Sequence, residues 1–244
     1  MIYSETKPDI ALSNYIDAFW TAQGEGNDLK AENILPDGCV DIIFNIGSDC
    51  QTNNGSFTLR NEKAYFVGTM THFNLTQLQP DTKLLGIRFK PAAFSAFYKF
   101  FSLHETTNKT IELEKALSPD LNKTIKYSST YLNQFFINKL VKPKHNLLPV
   151  VADIQNCRGN IKVRTLTQRH FTTVRQLERS FKQHIGISPK EFINLVRYQS
   201  AHKLIHENTS SRSLLDIAVE CGYYDHAHLT NEIKKYTGIV PSLL

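Results

Sequence analysis

No stretch of the 244 residues approaches the roughly 18 consecutive apolar residues that a membrane-spanning helix needs. The N-terminus, MIYSETKPDI, lacks the basic-then-apolar layout of a secretory signal, so the expected compartment is the cytoplasm. Cysteine is scarce: Cys39, Cys50, Cys157 and Cys221 are scattered with no C-x-x-C pair. That spacing argues against a disulfide framework or a cysteine-based zinc site and leaves reduced, mostly buried thiols. The first half also lacks the His/Glu cluster on adjacent strands that a metal-dependent barrel enzyme requires, since it offers only His72 and His104. No metal or other cofactor is expected, and no enzymatic activity.

What is present is unevenly distributed. The net charge is +5, and it divides sharply along the chain. Residues 1–144 hold 15 basic and 15 acidic side chains, whereas residues 145–244 hold 13 and 8, so the whole excess sits in the last hundred residues. Such asymmetry suits a polyanion as partner, although an ordinary solvated surface carries similar charge.

The same segment repeats itself with a period of 52 residues. Phe171 aligns with Tyr223, Leu177 with Leu229, Phe181 with Ile233, Lys182 with Lys234, and Gly186, Ile187 and Pro189 with Gly238, Ile239 and Pro241. Each copy reads as two short helices joined by a tight turn, because apolar residues fall at helical spacing and stop where the turn belongs. In the first copy Val163 and Leu166 mark one helix. Thr173 and Gln176 then form a capping box that opens another, with Val174, Leu177 and Phe181 inward and Gly186 as its stop. In the second, Ser213 and Asp216 form a box, Leu214, Ile217, Ala218 and Cys221 form one stripe, and a helix from about Asp225 turns Leu229, Ile233 and Tyr236 inward and ends at Gly238.

Opposite the packed face of the Thr173 helix stand Arg175, Glu178, Arg179 and Lys182, at i, i+3, i+4 and i+7. Arginines so placed can pair bidentately with guanine, Glu178 can accept from a cytosine amino group, and Lys182 can neutralise a phosphate. Taken singly, such a helix is better read as a solvated amphipathic face; its duplication and context favour the reader. Between the copies Ser188, Pro189 and Glu191 open a long helix to about His206, a strut of roughly 28 Å at about 1.5 Å per residue, close to the roughly 34 Å between successive major-groove faces. One polypeptide can therefore carry two recognition helices about one helical turn of DNA apart.

The segments RQLERSFKQHIGISPKEFINLVRYQSAHKLI (175–205) and SLLDIAVECGYYDHAHLTNEIKKYTGIVP (213–241) resemble the AraC/XylS family of transcription regulators, over about residues 145–244. The resemblance implies base-facing residues Arg175, Glu178 and Arg179 in the first recognition helix and His226, Ala227, His228, Thr230 and Asn231 in the second. Thr173, Lys182, Lys234 and Lys235 are implied as phosphate contacts. Three positions depart from the family pattern. His170 stands where such turns often use glycine, Leu229 where phenylalanine is usual, and Asn231 where arginine is frequent, so the second copy presents a less basic face. His226 and His228 project about 200° apart on a helix and cannot chelate together. His202 and His206, at i and i+4, face the same way but lack a third ligand.

The first half carries β signatures at 39–46, 56–60, 64–70, 73–79 and 83–89, with turns at Pro36-Asp37-Gly38 and Asn53-Asn54-Gly55. Two helices are expected after them. One opens at Pro91 and buries Phe94, Phe97 and Phe101; the other spans 128–141 with Leu132, Phe135, Phe136 and Leu140, and either packs on the strands or meets a second copy of the chain. The expected fold is α+β in two domains: a mostly-β barrel or sandwich with flanking helices, cupin-like by the resemblance, and an all-α double helix-turn-helix. Residues 1–141 form the sensor, effector or oligomerisation domain, 142–146 the linker and 147–244 the reader, with helix-turn-helix units near 161–186 and 213–238. Phe44, Phe66, Phe73, Ile87 and Phe89 are read as core more readily than as a ligand pocket.

The resulting expectation is a sequence-specific DNA-binding regulator. Its partners are double-stranded DNA and, by the resemblance, RNA polymerase, with a small-molecule effector and a homodimer left open. Two alternatives stand beside it: an architectural DNA-binding protein without an effector, and a DNA-alkylation repair protein using Cys39 or Cys50 as acceptor, disfavoured because Cys39 sits at an apolar strand start with no adjacent His or Arg cluster.

Overall fold

The computed structural model describes residues 1–26, 29–99, 102–207 and 212–244. Phe101, expected to be buried after Pro91, lies outside them.

Among the described residues the N-terminal half has ten strands: β1 (Ile2–Thr6), β2 (Ile16–Gln23), β3 (Lys30–Ile34), β4 (Val40–Asn45), β5 (Cys50–Thr52), β6 (Phe57–Leu59), β7 (Lys63–Val67), β8 (Asn74–Leu78), β9 (Lys83–Phe89) and β10 (Thr110–Glu112). They form a six-stranded sheet, β1-β2-β9-β4-β7-β10, and a four-stranded sheet, β3-β8-β5-β6, antiparallel throughout. The larger sheet is covered on both faces, which is why β4 reads as an almost continuous apolar run. On one face Phe19, Ile42, Phe44, Phe66, Ile87 and Phe89 pack with Phe94, Phe97, Leu132 and Phe136. On the other, Trp20, Ala22, Tyr65 and Leu84 meet Cys50, Leu59 and Leu78 of the smaller sheet.

Four of the aromatic and aliphatic side chains weighed as pocket residues, Phe44, Phe66, Ile87 and Phe89, are thus core. The helix expected at Pro91 is instead a 3-10 turn at Phe94–Ala96. Ala92 just before it takes φ 67°, a left-handed residue that an α-helix does not admit. Phe94 and Phe97 are buried all the same, through the turn rather than a helical stripe. The second expected helix, α1, is longer than its signal (Leu121–Lys139) and is interrupted at Ser128 (φ 44°, ψ −127°). Leu132 and Phe136 lie on the six-stranded sheet, with Phe135 and Leu140 packed beside them.

Further helices follow: α2 (Leu148–Asn156), α3 (Val163–Arg169), α4 (Val174–His184), α5 (Pro189–His206), α6 (Leu214–Glu220) and α7 (His226–Thr237). One core runs through all of them, with Phe181, Phe192, Leu195, Tyr198, Leu229 and Ile233 among its most deeply buried members. The connecting helix α5 is therefore more than an exposed strut. Its apolar residues spread around the axis because it packs against α2, α4, α6 and α7. Removing one of the large buried rings, Phe181 or Phe192, should cost about 3–5 kcal/mol.

Candidate nucleic-acid interface

Each helix boundary has a local cause. Reciprocal capping boxes open α4 (Thr173 with Gln176), α5 (Ser188 with Glu191) and α6 (Ser213 with Asp216), and Asp225 caps α7 through the His228 amide at 2.7 Å. Gly238, left-handed at φ 79°, ends α7.

The repeat is not uniform. The second helices, α4 and α7, obey the 52-residue period, but the first helices, α3 and α6, are only 51 residues apart. Four residues (170–173) join α3 to α4 and five (221–225) join α6 to α7. Hydrogen bonds fix the register: Thr172 N–H donates to the Thr167 carbonyl (3.0 Å) as Tyr223 N–H does to that of Ala218 (2.8 Å). Thr172, not Phe171, is thus the counterpart of Tyr223, which corrects the alignment read from the sequence. The left-handed position filled by Gly222 (φ 73°) is occupied in the first unit by Phe171 (φ 50°), whose side chain is 97% exposed. His170, the suspected site of an unusual conformation, has an ordinary φ of −103°. Its ring turns inward to Asp153, 2.9 Å away.

On α4, Arg175, Glu178, Arg179 and Lys182 all lie exposed on the side away from buried Leu177 and Phe181. Val174, expected inward, is 46% exposed, because at the first position of the helix it projects past the end of the core. Thr173 is committed to the cap, accepting from the Gln176 amide at 3.2 Å. On α7, His226, Ala227, His228, Asn231, Lys234 and Lys235 are exposed. Thr230 is half-buried and turns its hydroxyl back to the His226 carbonyl (2.8 Å). The His228 ring stands edge-on to Tyr223, centroids 5.2 Å apart. The first surface thus carries three cations and a carboxylate; the second is built of amide, imidazole and two lysines near its end.

Sequence reasoning missed how the N-terminal half seats itself on these helices. It engages the C-terminal ends of both. At the end of α4, Thr69 donates its hydroxyl to the Ile185 carbonyl, Thr107 donates to that of Gly186 (2.8 Å), and His104 Nδ1 lies 2.8 Å from the same oxygen. At the end of α7, Asn33 donates to the Thr237 carbonyl (2.7 Å) and the Phe73 ring covers Gly238, where an added Cβ would stand 2.7 Å from it. Along α5, Gln199 donates to the Pro36 carbonyl (3.4 Å), and Gly38 lies so close to Phe192 that an added Cβ would be 2.8 Å from the ring. The Thr69 and Asn33 bonds satisfy carbonyls of the kind that every helix leaves open at its C-terminus. Beyond these contacts the outer faces of α4 and α7 remain exposed to solvent.

Ser102 and His104 face Arg175, Glu178, Arg179 and Lys182 across an open cleft, so the exposed face of α4 is flanked by the N-terminal half. The Cys39 thiol sits between Asp37 and Asp41, and desolvation with those carboxylates pushes it well above the ordinary thiol range. Desolvation likewise pushes Cys50 up to about 12. Neither offers the electropositive setting of an acceptor thiolate. The rings of His202 and His206 are 4.5 Å apart on α5. Among the described residues no group of three His, Cys, Asp or Glu side chains is arranged to hold a metal ion, and no helix is long and apolar enough to cross a membrane.

Comparison with known proteins gives two domain matches. Residues 166–244 match a helix-turn-helix domain family, and residues 4–112 match a family described as a domain of unknown function (DUF6597). An HTH-type transcriptional regulator of Haemophilus influenzae is 34% identical over 93 residues, covering 38% of this chain and 30% of that protein. The transcriptional activator RhaS of Pectobacterium carotovorum is 30% identical over 80 residues, covering 33% and 28%. The chain thus spans about 30% of the length of these curated relatives. Among solved structures, ToxT from Vibrio cholerae, bound to (E)-4-(8-methylnaphthalen-1-yl)but-3-enoic acid, superposes with a TM-score of 0.52 at 10% identity, over 91% of this chain and 96% of ToxT. At that identity the likeness establishes the two-domain fold.

Proposed function

With its C-terminal part belonging to the AraC-type helix-turn-helix domains, we propose that this chain is a sequence-specific DNA-binding transcription regulator whose residues 147–244 read DNA and whose residues 1–141 adjust that reading. The observation that carries the proposal is the pair of capped, solvent-facing recognition helices built on one core and joined by the 18-residue helix α5. At about 1.5 Å per residue, α5 spans about 27 Å, which supports adjacent major-groove contacts from a single polypeptide.

In this reading Arg175, Glu178 and Arg179 contact bases from α4, and His226, Ala227, His228, Thr230 and Asn231 contact bases from α7. Lys182, Lys234 and Lys235 hold phosphates, and Thr173 acts by capping an α4 N-terminus whose following amides face the phosphate, since its own hydroxyl and amide are both engaged by Gln176. The N-terminal half acts as sensor through its contacts with both recognition helices, and a small molecule is the signal. The occurrence of ToxT with an unsaturated fatty acid, and with a naphthyl-substituted acid, supports ligand control for this architecture. RNA polymerase is the partner through which bound protein affects transcription, and the chain works in the cytoplasm.

Selection of bound duplexes from a random pool tests this. A site of two unlike half-sites about one turn apart is expected from the full chain. Equal binding of the selected and a scrambled duplex at fixed salt would refute the proposal.

A further inference from the structure

The two sheets line a partly open cavity of about 130 Å³ on the face of the larger sheet opposite its aromatic core. Its floor is the indole of Trp20. Gly86 is the register partner of Trp20, and a Cβ there would stand 2.0 Å from the indole ring, so the glycine is what lets the ring lie across β9. Tyr3 stands beside it, ring centroids 6.1 Å apart and tilted by 33°. Ile43, Leu59 and Leu84 supply apolar wall.

One end of the cavity is charged. Asp41 accepts from Trp20 Nε1 at 2.7 Å, and Asp37 and Asp41 lie 3.3 and 3.8 Å from Arg88 Nε. The other guanidinium nitrogens of Arg88 are already engaged by Glu5 (3.1 Å) and Tyr3 (3.3 Å). Lys7 reaches Glu5 from solvent at 3.8 Å, which leaves two carboxylates of the cavity sharing one side of a single guanidinium. Two carboxylates that share one guanidinium, beside an electron-rich indole in a partly desolvated chamber, are completed by a positive charge with an apolar body, which holds both in their ionised form. Burial, reinforced by Asp37 against the pull of Arg88, pushes Asp41 up to about 7, as expected of a carboxylate that lacks a full counter-charge.

We propose that this cavity binds a small organic cation, an ammonium head held by Asp37, Asp41 and the Trp20 face with a short apolar body against Ile43, Leu59 and Leu84. The segments that wall it are those that grip the reader. Leu35 and Asp37 line the cavity while Pro36 and Gly38 between and beside them touch α5. Val67, Gly68, Met70 and Asn74 line it while Thr69 and Phe73 hold the ends of α4 and α7. A ligand that shifts these segments therefore alters both recognition helices at once. This regulatory half rests on the DNA-reading function; the binding half does not.

The test is titration calorimetry of the full chain at constant ionic strength with phenethylammonium, 2-phenylethanol and phenylacetate, which share a ring and differ in charge. Saturable binding of phenethylammonium is expected, with the alcohol weaker by about tenfold or more and the same loss for Asp37→Asn and Asp41→Asn. Trp20→Phe, which keeps a ring, is expected to weaken it less, and circular dichroism checks that each variant folds. Equal affinity for phenylacetate, or no binding of phenethylammonium by the wild-type chain, overturns the cation site. Titrating the selected duplex with and without phenethylammonium then reads a several-fold change in DNA affinity. Binding of the amine with unchanged DNA affinity overturns the coupling and leaves the cation site standing.

Discussion

The side-chain amide of Asn33, on an edge strand of the smaller sheet, donates to the main-chain carbonyl of Thr237 at the end of the second recognition helix, 2.7 Å away. Thr69 makes the matching contact to Ile185 at the end of the first. Equivalent ends of two repeated helices are thus held by one domain.

Thr69 is fully buried, and its hydroxyl is the grip on α4. Thr69→Val keeps the volume and removes the donor, leaving the Ile185 carbonyl without that bond. A stability loss of about 1–3 kcal/mol is expected in urea unfolding. Asn33→Ala, at a more exposed site, should cost about 1 kcal/mol or less. Nearly unchanged midpoints for both would mean that the domains are not coupled through these bonds.

The strained turn predicts opposite outcomes in the two units. Phe171→Gly removes a side chain with no packing to lose from a left-handed position, and should raise stability by about 1 kcal/mol. Gly222→Ala should cost about 1 kcal/mol or more, since the new Cβ would also stand 2.9 Å from the Asn160 side-chain oxygen. Thermal melts of the two variants decide it.

His145 and His184 lie with ring centroids 4.1 Å apart, and Ser95 Oγ is 2.8 Å from His145 Nε2. Burial lowers both rings, and His145 lowers His184 further, to about 4. Because the unfolded chain takes up these protons at an ordinary histidine value of about 6.5, stability is fully present above that pH and is lost as the pH falls from 6.5 toward 4. Melting temperature against pH should slope less over this window in His145→Gln than in the wild type.

On DNA, Arg179→Ala should weaken binding to the selected site by about 1–3 kcal/mol and relax one base position. Asn231→Ala should cost less, and Lys234→Ala should lower affinity evenly across sequences while reducing the salt slope by about 1. Titrations at several salt concentrations separate the three, and a larger loss for Asn231→Ala would reverse the assigned order of the two units.

The helical half was legible because its signals are local. Thr173 and Gln176, Ser188 and Glu191, Ser213 and Asp216 each declare a helix start within four residues, and Gly238 declares an end. The shortened turn at Phe171 was hidden because the matching residues of α4 and α7 impose a single period on the alignment. In the β half, β4 and β9 carried clear apolar signals, whereas β3 (KAENI) has none and belongs to its sheet only through pairing with β8. Phe94 and Phe97 mimic helical spacing, and only the backbone at Ala92 shows otherwise. The grip between domains was illegible for a general reason: Asn33, Thr69, His104 and Thr107 bind main-chain carbonyls, which every residue presents and no residue type advertises.

The missing residue in the first turn bears on how such a protein meets its target. In the proposed function, two units repeated in tandem along one chain, and differing in turn and in surface, call for a target without dyad symmetry. Bound DNA then has a left and a right, and turning the site around in front of a gene should change what the protein does there.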